Sequence, residues 1–483
     1  MSSPATMLAN KKHLMPRPAR LLIFCVLVYA FCWIKGWPAH YDDEELPPSQ
    51  RPKSTTALGE HRVTADHLTV TIITAATDAY TKLAPALLYL DAAYHKELLL
   101  MGDLAMDIGP FPVFDVLAKY PRKYVDKNDE LERYKRQLEY AKKNIPLSKL
   151  QEKDLQKEQA VLRALAKYKI LRAMESTWEY RPMRDWYVFA DEETFIEREN
   201  LLDWLSQYDP KLKHFFGNPP ISNVPDAFAA GGSSFILSGQ TMHLLFNDHK
   251  TMMQNWKNWD PRIPDYPSAI HLVDSFLKTE LSLEMVSFWP GVSGFDPTTI
   301  AFTPGLWCVP VLMMHHIPAE LGSDLYKLEK QRKGDHKVDN TLRYSDLWYR
   351  FLGPKDLNET RHDWDNLSSE SANNRWNILF EKEGEMDDSR AKRAEDSWEA
   401  CKESCDSNRH CVQWSYSSIA APNWNENGFT KCHLSSSMRF GAHTEPEEVE
   451  VNGEHKPRNW TSGWKKDHFK RWANQQRCKH QQH

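Results

Sequence analysis

Asp191, Glu192 and Glu193 stand in a row just after Ala190, which ends the aromatic and β-branched run Trp186, Tyr187, Val188 and Phe189. Adjacent carboxylates supply hard oxygen ligands, the kind that suit Mg²⁺ or Mn²⁺ carrying a diphosphate. An acidic triplet by itself is more often a solvated turn, so its neighbours matter. His315 and His316 close an apolar stretch over residues 306–314. Paired histidines usually serve structure or surface, but at the end of a strand one of them could reach a metal held by the carboxylates. Gly231 and Gly232, followed by Ser233 and Ser234, would let a backbone approach a ligand closely; the plainer reading is a tight turn before a strand. Asp103 follows the apolar residues 98–101, a further carboxylate at a strand end.

These groups need elements to hold them. The run 186–189 suits a buried strand, which puts the triplet at its C-terminal edge, where ligands bind open α/β sheets. Residues 68–75 and 98–101 read as two more strands, and 306–314 as another. Residues 126–176 carry Leu, Tyr and Ala at helical spacing and predict one or two long helices whose charges form a solvated face. A helix is expected around 199–208. The polar stretch 320–395 reads as chain wrapping the surface.

With 483 residues, 41% of them hydrophobic, the chain can build two or three domains. A net charge of −5 gives no case for nucleic acid. Eighteen Trp are a mild hint of sugar-facing aromatic surfaces. Lys11, Lys12, Arg17 and Arg20 precede the apolar run 21–34, and Asp42 and Glu45 follow it. That run is short of the roughly 20 residues of a full span; carried through Lys35, which can snorkel, to Trp37 it comes near. The expectation is a type II signal-anchor with the bulk of the chain lumenal, the alternative a cleaved signal peptide. Either puts the protein in the secretory pathway. Asn358, Asn366 and Asn459 open acceptor sequons for N-glycosylation. Cys401, Cys405, Cys411 and Cys432 cluster as in a small disulfide-stapled module; a zinc site is the rival reading, and an oxidising lumen argues against it. Cys308 reads as a buried thiol, and Cys478 is left unassigned.

Taken in order, several segments resemble the family 31 glycosyltransferases, the group of fringe and the core-1 galactosyltransferases, and most of all their fungal fringe-like subgroup. Residues 186–195 resemble the family's hydrophobic strand and acidic metal motif, 228–238 its glycine segment, 306–316 the strand ending in a metal-binding histidine, and 361–368 a signature of the fungal subgroup. The C-terminal Trp398, Cys401, Cys405, Cys411, Trp414 and Cys432 resemble a PAN/apple module. The resemblance implies an α/β chain: a GT-A glycosyltransferase fold, with a mixed sheet flanked by helices, plus a small disulfide-rich α+β module. Its parts would be a cytosolic tail (1–20), a signal-anchor helix (21–37), a stem (38–66), a catalytic domain (67–370), a linker (371–392) and the module (393–475).

The activity so implied is inverting, metal-dependent transfer from a UDP-sugar to a glycan or glycoprotein acceptor, by a hexosyltransferase of the Golgi membrane. Glu193 and His316, with His315 as the alternative, would hold Mn²⁺ or Mg²⁺. Asp191 would assist through metal-bound water or the donor ribose, and Asp103, Gly231 and Gly232 would line the donor pocket. Asp274, or else Asp265, would be the catalytic base. The apple-like pattern implies bridges Cys401–Cys432 and Cys405–Cys411. The chain departs from the family at Glu193, where Asp is usual, and at Ser233 and Ser234, where Ala and Gly are usual. Those departures support an alternative: a catalytically weak or inactive lectin-like protein that binds glycans.

Overall fold

Val70 stands between Leu98 on one side and Val188 on the other, in a parallel register that joins the strands Leu68–Ile73, Leu98–Gly102 and Trp186–Ala190. The computed structural model describes residues 63–90, 92–218, 234–334, 340–353, 357, 360–369, 377–379, 394–419, 429–451, 453–476 and 478. The three strands form the middle of an eight-stranded mixed sheet. Phe111–Asp115 extends it in parallel on one side, and Phe235–Ser238 pairs antiparallel with Trp186–Ala190 on the other. Helices cover both faces, so these strands are buried along nearly their whole length; Leu98–Gly102 and Trp186–Ala190 are apolar throughout, whereas Leu68–Ile73 also buries Thr69 and Thr71.

On one face lies Leu155–Tyr180, whose N-cap Asp154 accepts the Gln156 and Lys157 amide hydrogens. Its Leu165, Tyr168, Leu171 and Met174 share a core with Phe189, Phe235 and Phe276. Its charges do not form the expected solvated face. Glu158, Lys167, Lys169, Arg172 and Glu175 are all buried. Arg172 is held by the Asp260 carboxylate at 2.7 Å and lies 4.0 Å from the Trp256 ring. The flanking segments 117–134 and 256–277 cover the helix's outer side, so its charges persist only as partnered groups.

On the other face, Leu83, Leu87, Leu201 and Trp204 pack against Val70, Ile72 and Val188. The helix expected at 199–208 is Arg198–Leu205, capped by Glu197. The apolar stretch 306–314 is not one strand. Thr303 caps a single helical turn, Pro304–Trp307, and only Met313–Met314 is extended, in a small sheet with Phe195–Ile196 and Val292–Ser293. The stretch after 320 is not a surface wrap either. Ala319–Gly334 is helical, and Tyr344, Leu347, Trp348 and Leu352 are buried in a core with Phe295, Trp464 and Phe469.

That core joins both halves of the chain, and residues 52–483 form one compact unit. The C-terminal part is an antiparallel sheet centred on Gln413–Ile419 and Glu454–Trp464, with the helix Trp398–Ser407 beside it. Disulfides join Cys401 to Cys432 and Cys405 to Cys411. A third joins Cys308 to Cys478, so Cys308 is not a free thiol. The segment 361–368 clasps this sheet: its first two residues join it, and Trp364–Asp365 pairs with Ala442–His443 in a separate two-stranded sheet. Arg361 and His362 pair with Ser462 and Thr461, and Trp364 donates its indole N–H to Phe440 O at 2.7 Å. At Gly441 (φ +73°) any Cβ would collide with the Asp365 carbonyl.

Asn366, one of the expected glycosylation sites, is fully buried here. Its side-chain amide donates to Trp414 O and Gly463 O, which leaves nothing for an oligosaccharide to reach in the folded chain. Asn459 is exposed on a strand, and Asn358 lies outside the described residues. The expected anchor at 21–37 also lies outside them; among the described residues no helix is long and apolar enough to cross a membrane.

Candidate functional site

The strand Trp186–Ala190 delivers the acidic triplet to the C-terminal edge of the parallel strands, beside the loop 74–78 and Asp103. Asp191 turns the chain by accepting from the Glu193 amide at 3.1 Å and the Thr194 hydroxyl at 2.8 Å. Thr194 Oγ1 also lies 3.1 Å from Ser234 Oγ and 3.3 Å from His315 Nδ1. His315 Nδ1 is itself 3.1 Å from Asp191 Oδ1. Four side chains from three segments thus form one hydrogen-bonded knot.

The pairing of Met313 with Ile196 brings His315 there, and the Ile317 amide donates to Glu193 O at 2.9 Å. His315 is buried. Burial alone would lower its pKa, yet the charge of Asp191, with Glu193 and Glu192 behind it, raises it above the usual value. His316 takes a left-handed backbone (φ +60°) and is exposed, its ring centroid 4.1 Å from that of His315. Neighbours in sequence, the two imidazoles therefore have different surroundings.

Glu192 is half-buried; burial and the charge of Asp191 push its carboxyl up to about 8. Glu193 Oε2 accepts from Lys82 Nζ at 3.1 Å, and the same ammonium lies 3.4 Å from Asp78. Burial lowers the Lys82 pKa, but Glu193 and Asp78 more than offset this and push it up to about 12. Asp103 is fully buried. Its carboxylate accepts from the Ala76 amide at 2.7 Å and lies 3.4 Å from Lys169 Nζ, which donates to Thr74 O at 2.7 Å. Asp103 therefore acts on this edge by holding the 74–76 loop. Lys82 and Lys169 escaped sequence reasoning; only the i,i+4 spacing of Asp78 and Lys82 hinted at either.

Gly231 and Gly232 lie outside the described residues; Ser234, just before the strand Phe235–Ser238, meets Thr194. Asp274 lies inside a helix. It is the sixth residue of Ala269–Leu281, whose N-cap position is Ser268. Burial raises its pKa, opposed by Lys278 and by a hydrogen bond from the Met285 amide. Those partners belong to its own helix and the segment just after it. Asp265 is exposed at the end of the 3₁₀ turn Asp260–Asp265.

Carboxylate oxygens and imidazole nitrogens are the right donors for Mn²⁺ or Mg²⁺. Among the described residues no three such side chains converge into a closed cage. Asp191 faces His315, and Glu193 faces Lys82. No protein-family model matches the chain.

Proposed function

We propose that this protein is an inverting glycosyltransferase on a GT-A-type fold, moving a sugar from a UDP-sugar to a hydroxyl of a glycan or glycoprotein. The observation that supports it best is the joining of Asp191 to His315 across 124 positions of sequence, at the C-terminal edge of the parallel strands. Glu193 and His316, with His315 as alternative, would hold Mn²⁺ or Mg²⁺, whose bound charge neutralises the departing UDP. Asp191 would orient the donor side of the site, and Asp103 would keep the 74–76 loop in place for the nucleotide. Asp274, or else Asp265, would take the proton of the acceptor hydroxyl. The setting is the Golgi lumen, with the chain anchored through residues 21–37 and its C-terminal sheet a PAN/apple-like module.

The Lys82–Glu193 pair favours a second reading, a lectin-like protein with little or no turnover, because it neutralises a candidate metal ligand from within. Release of UDP, measured on the full chain with Mn²⁺ over a panel of UDP-sugars, separates the two. Transfer or hydrolysis supports the enzyme. Glycan binding with no UDP released under any donor would overturn it in favour of the lectin.

A further inference from the structure

Behind the acidic turn lies a cavity of about 380 Å³, inside the range of small-molecule sites, about 300–1,000 Å³. Val70, Ile72 and Leu98 of the sheet form its floor, and Leu83 and Leu87 one wall. These five side chains pack on one another, and the part-exposed Ala86, Tyr89, Leu90, Phe195 and Ile196 give the lining its accessible apolar surface. A chamber of this size and lining is suited to an apolar guest.

The mouth has the opposite character. Lys82, Asp191, Glu193 and Thr194 line it. Around the whole cavity the carboxylates of Asp191, Glu193, Glu320 and Glu329 outnumber the cations Lys82 and Arg198. Both cations are already engaged, Arg198 with Glu97 at 2.7 Å and Lys82 with Glu193. An anionic head group would meet net repulsion there, whereas hydroxyl groups can donate to carboxylate oxygens.

We infer that the cavity takes the apolar tail of an amphiphile whose neutral, hydroxylated head sits at the acidic turn; an alkyl or aryl glycoside is the chemical class. On the transferase reading above, on which this step rests, such a molecule is an acceptor. Its hydroxyl oxygen forms a bond to the sugar's anomeric carbon as the bond from that carbon to the UDP oxygen breaks. UDP leaves with the electron pair, and the hydroxyl proton passes to the carboxylate base. The tail site itself does not depend on that reading.

Calorimetry of the full chain with butyl, hexyl and octyl β-D-glucoside, below their micelle concentrations, tests it, with glucose and octanoate as controls. Affinity should rise about fourfold per added methylene, while glucose and octanoate bind far more weakly than the octyl glucoside. Ala86 lines the cavity; Ala86→Phe fills part of that space and should flatten the series, and Ala86→Leu should shorten the chain at which it levels off. A wild-type series with no dependence on chain length overturns the tail site, and an unchanged slope in Ala86→Phe does the same. Octanoate binding as tightly as octyl glucoside overturns the neutral head. UDP titrated into the same samples keeps the two readings apart: UDP bound without a chain-length series sinks only the tail site, and a series without UDP binding sinks only the transferase.

Discussion

Lys82 Nζ lies 3.1 Å from the Glu193 carboxylate, so the acidic turn carries a cation of its own. The two side chains are 40% and 36% exposed, which limits the pair to about 0.2–1 kcal/mol. A divalent ion reaching Glu193 must compete with this internal ammonium. Replacing Lys82 with Met should therefore tighten Mn²⁺ binding about 1.4- to 5-fold, measured by titrating Mn²⁺ without nucleotide. Unchanged or weaker binding would mean that Glu193 does not take the ion.

Glu193→Ala tests the same residue from the other side. The variant should lose the Mn²⁺-dependent rise in UDP affinity while its melting temperature stays close to that of the parent, because the side chain is part-exposed. Calorimetry of UDP with and without Mn²⁺ reads this directly. A metal dependence that survives the substitution removes Glu193 from the ligand set.

Asp103→Ala should act on stability rather than on metal. Lys169 is buried, and losing its carboxylate partner leaves an uncompensated charge in the interior. Breaking such a pair costs about 3–5 kcal/mol. Urea unfolding with the disulfides intact measures the loss; a change below about 1 kcal/mol would show that the pair contributes no more than an exposed one.

Asp274→Asn separates a base from a structural carboxylate. As a base, Asp274 should lower turnover by about two to four orders of magnitude when replaced, with donor binding retained. If the carboxylate only accepts the Met285 amide, Asn can still accept it and turnover should hold, which would pass the base role to Asp265 or elsewhere.

The Cys308–Cys478 bridge closes a chain separation of 170 residues. Cys478→Ser should lower stability by about 2–5 kcal/mol, seen as a lower denaturation midpoint. Peptide mapping without reduction should recover the two cysteines linked. Recovery of both as free thiols would contradict the pairing.

Local chemistry was enough to place strands within 68–75, 98–101 and 186–189, and the last two are apolar throughout, as strands buried on both faces tend to be. The acidic turn was legible for the same reason, as carboxylates cannot continue such a strand. Those features lie within a few neighbouring residues. What only the tertiary structure decided is what those residues meet. Lys82 and Glu193 are 111 positions apart, Thr194 and His315 121, and Lys169 and Asp103 66. No periodicity encodes a contact of that range; it exists because the parallel register sets two strand ends and a helix side by side. The same cause explains the misreadings. The charged helix at 155–180 looked solvated because a sequence shows one helix face but not the segments that cover it. Asn366 looked like a glycosylation site until the sheet of residues 413–464 closed over it. His315 and His316 are adjacent in sequence, yet the fold buries one beside Asp191 and leaves the other exposed.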